Sequence, residues 1–177
     1  MGAPGNADDL EQGPARLAAA GSGAVTVSTG LPVLDHLLGL LARIGRFDLT
    51  LELAPGEPEA EVAAAGRSLG LALAEPLRAP GAAGHGSAVV PADEALAHVA
   101  LEASGRPLVA SNVDLSGAHV GGLGGDLAAR FLRELTEAAG LTLHVRLLEG
   151  EDTQHVLEAI FKALGVALAQ ACARPAQ

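Results

Sequence analysis

The order helix, strand, turn, helix occurs twice in this chain, and that repetition constrains the fold more than any single motif. Its second occurrence reads DLAARFLRELTEAAG, LTLHVRLL, EGEDT and QHVLEAIFKALGVALAQAC. Leu49-Thr50-Leu51 is matched by Leu141-Thr142-Leu143 at an offset of 92 residues, and Ala72-Leu73 by Ala163-Leu164 at 91. A period this long is too large for a solenoid, so the spacing predicts an α+β tandem duplication: two sheet-plus-helices halves whose sheets share one helical layer. The expected divisions are an N-terminal arm over 1–23, a first half over 24–100 and a second half over 101–177, together one compact domain.

Periodicity fills in the elements. Val25 and Val27 alternate with Thr26 and Ser28, a strand closed by Gly30. Leu34, Leu37, Leu38 and Leu41 follow the i, i+3, i+4, i+7 pattern of an amphipathic helix that ends near Gly45. Phe47, Leu49, Leu51 and Leu53 predict a strand, and an Ala-rich helix follows from about Glu59 to Leu77. Val89–Val90, Ala97–Glu102 and Leu108–Asp114 read as three strands of a meander. In the arm, one short strand near Ala15 to Ala20 is expected.

With 49% apolar residues but only 2% aromatic ones, the core must be aliphatic. A net charge of -10 with no Lys/Arg cluster argues against a nucleic-acid partner, and any phosphorylated ligand needs a local basic pocket. The single cysteine, Cys172, cannot form an internal disulfide; with no apolar leader at the start and no uninterrupted membrane-length run, a cytoplasmic, membrane-free protein is expected. Six histidines remain to be explained.

In the last helix Gln154, His155, Glu158 and Lys162 form one polar stripe opposite Leu157, Ile160, Phe161, Leu164 and Leu168. The i, i+3 spacing of His155 and Glu158 lets imidazole and carboxylate reach the same or adjacent cations, and equally describes a solvated helix face. His144 sits in its strand on the face opposite Leu143 and Val145, as a ligand or a structural histidine. His36 follows Asp35 at the start of the first helix.

These residues, with STGLPVLDHLL, VPADEALAHVALEASGRP, GLTLHV and GEDTQHVLEAIFKALGVAL in this order, resemble the imidazoleglycerol-phosphate dehydratase family of histidine biosynthesis from about Val27 to Cys172. The resemblance implies two tandem repeats, each with the second-domain fold of a small-subunit ribosomal protein. It also implies a homo-oligomer building 24-subunit shells, two manganese ions per interfacial site, and a small phosphorylated imidazole substrate that is dehydrated from imidazole glycerol phosphate to imidazole acetol phosphate. Each repeat of the family supplies a histidine pair followed three residues later by glutamate, and a lone histidine.

On this chain the resemblance places His36, His144, His155 and Glu158 at metal positions and Gln154 where a histidine belongs. Registered on the GLAL turn, it puts Ala63, Ala64 and Arg67 at the first-half positions of histidine, histidine and glutamate, leaving half of the ligands missing. Arg106, Lys162, Gln154 and His85 fall at substrate-binding positions, His85 replacing an arginine, and Glu11 is the nearest candidate for an N-terminal glutamate contact. Reduced dehydratase activity is the resulting expectation, with a non-catalytic paralogue, acting as scaffold subunit or phosphometabolite-binding module, as the alternative.

Overall fold

The computed structural model describes residues 14–176. Most of the arm, with Glu11, lies outside them. β1 (Ala15–Ala18), β2 (Val25–Ser28) and β3 (Asp48–Glu52) form a sheet in the order β1-β3-β2, with β1 antiparallel and β2 parallel to β3. A parallel pair needs a crossover, which here is helix α1 (Pro32–Gly45); α2 (Pro58–Arg78) follows β3. Pro32 opens α1 and Pro58 opens α2, where a missing N–H costs nothing and the fixed φ suits the first turn.

The second sheet contains β4 (His85–Ala92), β5 (Ala95–Glu102), β6 (Leu108–Ser111) and β9 (Thr142–Glu149) in the order β4-β5-β9-β6. β6 is parallel to β9 and is joined to it through α3 (Gly125–Ala139), while β5 is antiparallel to β9. Helix α4 (Thr153–Cys172) completes the second half, and a short β7 (His119–Val120) and β8 (Leu123–Gly124) pair before α3. The order β1-β3-β2 is thus repeated as β5-β9-β6, with β4 added at the edge.

Two expectations are corrected. β4, β5 and β6 are not a meander, because β9 inserts between β5 and β6 and pairs with both. The division between residues 100 and 101 falls inside β5, whose hydrogen bonds run to β4 and β9, so the sheets divide in the loop before His85.

The repeat register also differs from the sequence matches. Arg46 and Gly140 cap α1 and α3 in the left-handed conformation, and the next residues bond back alike: Phe47 N to Ala42 O and Leu141 N to Thr136 O. Those caps equate β3 with β9 at an offset of 94. Helices α2 and α4 begin at Pro58 and Thr153 after acidic N-cap residues Glu57 and Asp152, an offset of 95. Buried Val62, Leu69, Leu73 and Leu77 then match buried Leu157, Leu164, Leu168 and Cys172. Shifts of two residues in a strand and four in a helix preserve the buried face, which is why LTL and AL matched out of register.

Among the described residues, helices α1 to α4 lie between the three-stranded and four-stranded sheets, α2 packing on α3 and α1 on α4 across the repeats. Both crossings run through glycine: a Cβ on Gly70 would meet Leu135 O at 2.6 Å, and one on Gly165 would meet Leu41 O at 2.4 Å. Phe131 and Phe161 meet in this layer with ring centroids 5.4 Å apart, amid Leu, Val and Ala. By length and mean hydropathy α4 could cross a membrane, but it is the core helix of this layer and mostly buried. Cys172, at its end, is buried, and burial pushes its thiol up to about 11, so it should resist alkylation until the chain unfolds.

Candidate functional site

Helices α1 and α4 pack so that the second turn of one meets the second turn of the other. His36 Nε2 lies 3.0 Å from Glu158 Oε1, and the Gln154 amide donates to the same oxygen at 3.2 Å. Burial raises the Glu158 pKa, but the hydrogen bonds from His36 and Gln154 outweigh it and hold the carboxyl below its usual value. A small cavity of about 190 Å³, lined by Val33, Leu37, Val120 and Leu157, opens beside His36 and Gln154. One imidazole nitrogen and one amide N–H₂ are therefore gathered on a single carboxylate oxygen.

His155 points elsewhere. Its Nδ1 lies 2.6 Å from Glu94 Oε2 and its Nε2 3.3 Å from Asp93 Oδ2, both on the turn joining β4 to β5. Asp152 caps α4 by accepting from the His155 N–H, and the Glu94 carboxylate accepts from the Asp152 N–H. The hydrogen bond to Glu94 raises the His155 pKa, with Asp152 and Asp93 adding to it against a smaller opposing effect of burial. A raised folded-state pKa contributes stability that is full below the unfolded value and lost as pH rises through the folded one. Glu94→Gln should accordingly bring the His155 titration, followed by NMR, back toward that of an ordinary histidine; an unchanged midpoint would show that Glu94 is not the cause. Asp93 and Glu94, on which sequence reasoning had placed no role, are thus side-chain partners of the candidate site.

The remaining candidates are spread out. His144 is exposed on the outer face of β9, between buried Leu143 and Val145 and across the sheet from the helices, so a position beside α4 is ruled out within one chain. His85 and Arg106 lie at one end of the second sheet and Lys162, donating to Pro91 O at 3.4 Å, at the other. The eight residues of β5 separate these ends by roughly 26 Å. His98 is engaged by Ser87 Oγ at 2.7 Å, and His119 lines an open cleft with Glu59 and Asp126. Among the described residues no group of three or more His, Cys, Asp and Glu side chains converges as a metal site.

The family model described as imidazoleglycerol-phosphate dehydratase matches residues 29–168. The chain belongs to the imidazoleglycerol-phosphate dehydratase family. It is 41% identical to the imidazoleglycerol-phosphate dehydratase of Moorella thermoacetica, over 88% of this chain and 82% of the relative, and 42% identical to that of Heliobacterium modesticaldum, over 86% and 80%. The crystal structure of the Staphylococcus aureus imidazoleglycerol-phosphate dehydratase superposes with a TM-score of 0.83 at 31% identity, covering 90% of this chain and 92% of that one.

Within the imidazoleglycerol-phosphate dehydratase family pattern, the structural register corrects the first-half ligand positions by one helical turn. An offset of 95 sets Gln154, His155 and Glu158 opposite Glu59, Ala60 and Ala63. Ala64 and Arg67 leave the set, and Arg67 becomes the counterpart of Lys162. Arg67 is instead paired with a carboxylate of α3: its Nη2 lies 3.2 Å from Glu134 Oε2, and Arg130 holds the other oxygen of Glu134 at 3.3 Å. The signal that could have found Glu59 was the acidic pair of N-caps, Glu57 and Asp152.

Proposed function

We propose that this chain acts in histidine biosynthesis as an imidazoleglycerol-phosphate dehydratase of lowered turnover, using manganese in a site completed by neighbouring copies in a homo-oligomer. The observation that carries this reading is the convergence of His36, Gln154 and Glu158 where α1 crosses α4. A divalent ion held by His36 and Glu158, with further donors from neighbouring copies, would act as a Lewis acid toward the imidazole ring, easing loss of a carbon proton and departure of hydroxide. His36 and Glu158 fix each other's orientation, and the apolar wall of Val33, Leu37 and Leu157 shields one side of the cavity from water. Arg106 and Lys162 are suited to the substrate phosphate, because among the described residues neither meets a carboxylate. The distance between them in one chain is the reason a shared site is proposed.

Lowered turnover follows from Ala60 and Ala63, which offer no donor, and from His85, which is a weaker phosphate partner than arginine. The test is formation of imidazole acetol phosphate from imidazole glycerol phosphate with and without manganese. Manganese-dependent product supports the reading. Absence of product at high protein concentration, with retained substrate binding, favours the alternative of a phosphometabolite-binding scaffold subunit, for which Arg106 and Lys162, neither meeting a carboxylate among the described residues, are the specific support.

A further inference from the structure

The edge strand β6, the segment that follows it and the first half of α3 enclose, with α4, a cleft of about 310 Å³. Its floor is apolar, made by Val109, Leu132, Val145, Leu157, Ile160 and Phe161. The α3 side carries charge at both ends of a small residue, because Asp126, Ala129 and Arg133 follow the i, i+3, i+7 spacing of one helix face and all three line the cleft. The two charges pass over partners within reach. Asp126 has Arg130 four residues on, and Arg133 has Glu137 four residues on, the spacing at which acid and base pair on a helix surface. Arg130 goes instead to Glu134, and among the described residues neither Asp126 nor Arg133 meets an opposite charge. Asp114, which also lines the cleft, is already engaged: its Oδ1 accepts from the Ser116 N–H at 3.0 Å and from the Ser116 hydroxyl, closing the turn of the far wall.

We propose that this cleft binds a free α-amino acid with a branched aliphatic side chain of the size of leucine. The side chain lies on the apolar floor, the carboxylate meets the Arg133 guanidinium, and the ammonium meets Asp126. Positions seven residues apart stand about 10 Å apart along a helix, and a short aspartate and a long arginine reaching toward each other reduce that to the few ångströms between the two charges of one amino acid. The lining excludes the neighbouring classes of ligand. A simple carboxylic acid is repelled by Asp126 and Asp114, an apolar amine leaves Arg133 without a partner, and a phosphate cannot use the floor. The site needs neither metal nor turnover, so it stands apart from the dehydratase reading.

The experiment is calorimetric titration of the full-length assembled protein with leucine, 4-methylpentanoate, which lacks the ammonium, 3-methylbutylamine, which lacks the carboxylate, and serine, which lacks the apolar side chain. Leucine should bind at least tenfold more tightly than each of the other three. Arg133→Gln should weaken leucine at least tenfold and leave the amine unchanged, whereas Asp126→Asn should weaken leucine and the amine and spare the acid. Arg130→Gln should bind leucine as the unaltered protein does, and Ala129→Leu, which fills the cleft, should not bind it. Leucine binding no tighter than that of any of the three analogues overturns the proposal, and that comparison needs no substitution. Undiminished leucine binding in both Arg133→Gln and Asp126→Asn overturns it as well. So does the absence of leucine binding; loss of assembly by Ala129→Leu in native mass spectrometry would then show that a neighbouring copy fills the cleft.

Discussion

Assayed with saturating manganese, the protein is expected to dehydrate imidazole glycerol phosphate at least about a hundredfold more slowly than the Moorella thermoacetica relative, a deficit of about 3 kcal/mol in transition-state stabilisation. A Lewis acid supplies several kcal/mol only when its coordination shell holds it rigidly against the reacting ring. Here Ala60 and Ala63 contribute no donor, and Glu59 and Gln154 stand where the family pattern has histidine. The same reasoning predicts recovery. Ala60→His combined with Ala63→Glu should raise turnover at least about tenfold, because each restores a donor opposite His155 and Glu158. Arg67→Glu should restore nothing, since Arg67 is the counterpart of Lys162 and is paired with Glu134. That contrast also tests the repeat register: rescue by Arg67→Glu and none by the Ala60, Ala63 pair would return the ligand positions to those read from the GLAL turn. Turnover within a few-fold of the relative's would remove the premise that the missing donors matter.

Most of the architecture was legible because periodicity reports burial. Leu34, Leu37, Leu38 and Leu41 line the core face of α1, and Leu49 and Leu51 the buried face of β3, as their spacing predicts. What periodicity cannot report is absolute register, because moving a strand by two residues or a helix by about one turn leaves every buried face buried. LTL matched LTL, and AL matched AL, under these two invisible shifts, and the first-half ligand positions moved with them. The caps resolve the ambiguity because they are not periodic: a left-handed residue occurs once per helix end and an N-cap once per helix start. The insertion of β9 between β5 and β6 was illegible for another reason. Pairing between strands 40 residues apart depends on the path of the intervening helix α3, which packs against α2 of the other repeat. In the candidate site, His36 and Glu158 are 122 residues apart, and only the crossing of α1 over α4 joins them.

That crossing is the subject of the second large effect. Gly165→Val should lower stability by about 3 kcal/mol and the melting midpoint by roughly 6–12 °C, at the upper end of what overpacking costs. A Cβ at residue 165 would stand 2.4 Å from Leu41 O and 2.9 Å from a methyl of Ile44, and Gly45 on the facing helix has its own missing Cβ 2.7 Å from Gly165 O. Backbone cannot yield as a flexible side chain can, so the two helices must separate. Separation has a local consequence that simple destabilisation lacks. His36 and Glu158 are held on opposite helices of this crossing, so moving the axes apart lengthens their 3.0 Å contact and disperses the donors that meet there. Gly70→Val should cost comparable stability at the α2 and α3 crossing, where a Cβ would meet Leu135 O at 2.6 Å, yet leave the His36 to Glu158 contact in place. Comparing the two variants under conditions where both remain folded isolates the geometry: manganese affinity should fall in Gly165→Val more than in Gly70→Val at matched stability. Equal affinities would mean that α1 and α4 do not set the spacing of the donors, and the site would then have to be organised by contacts outside this chain.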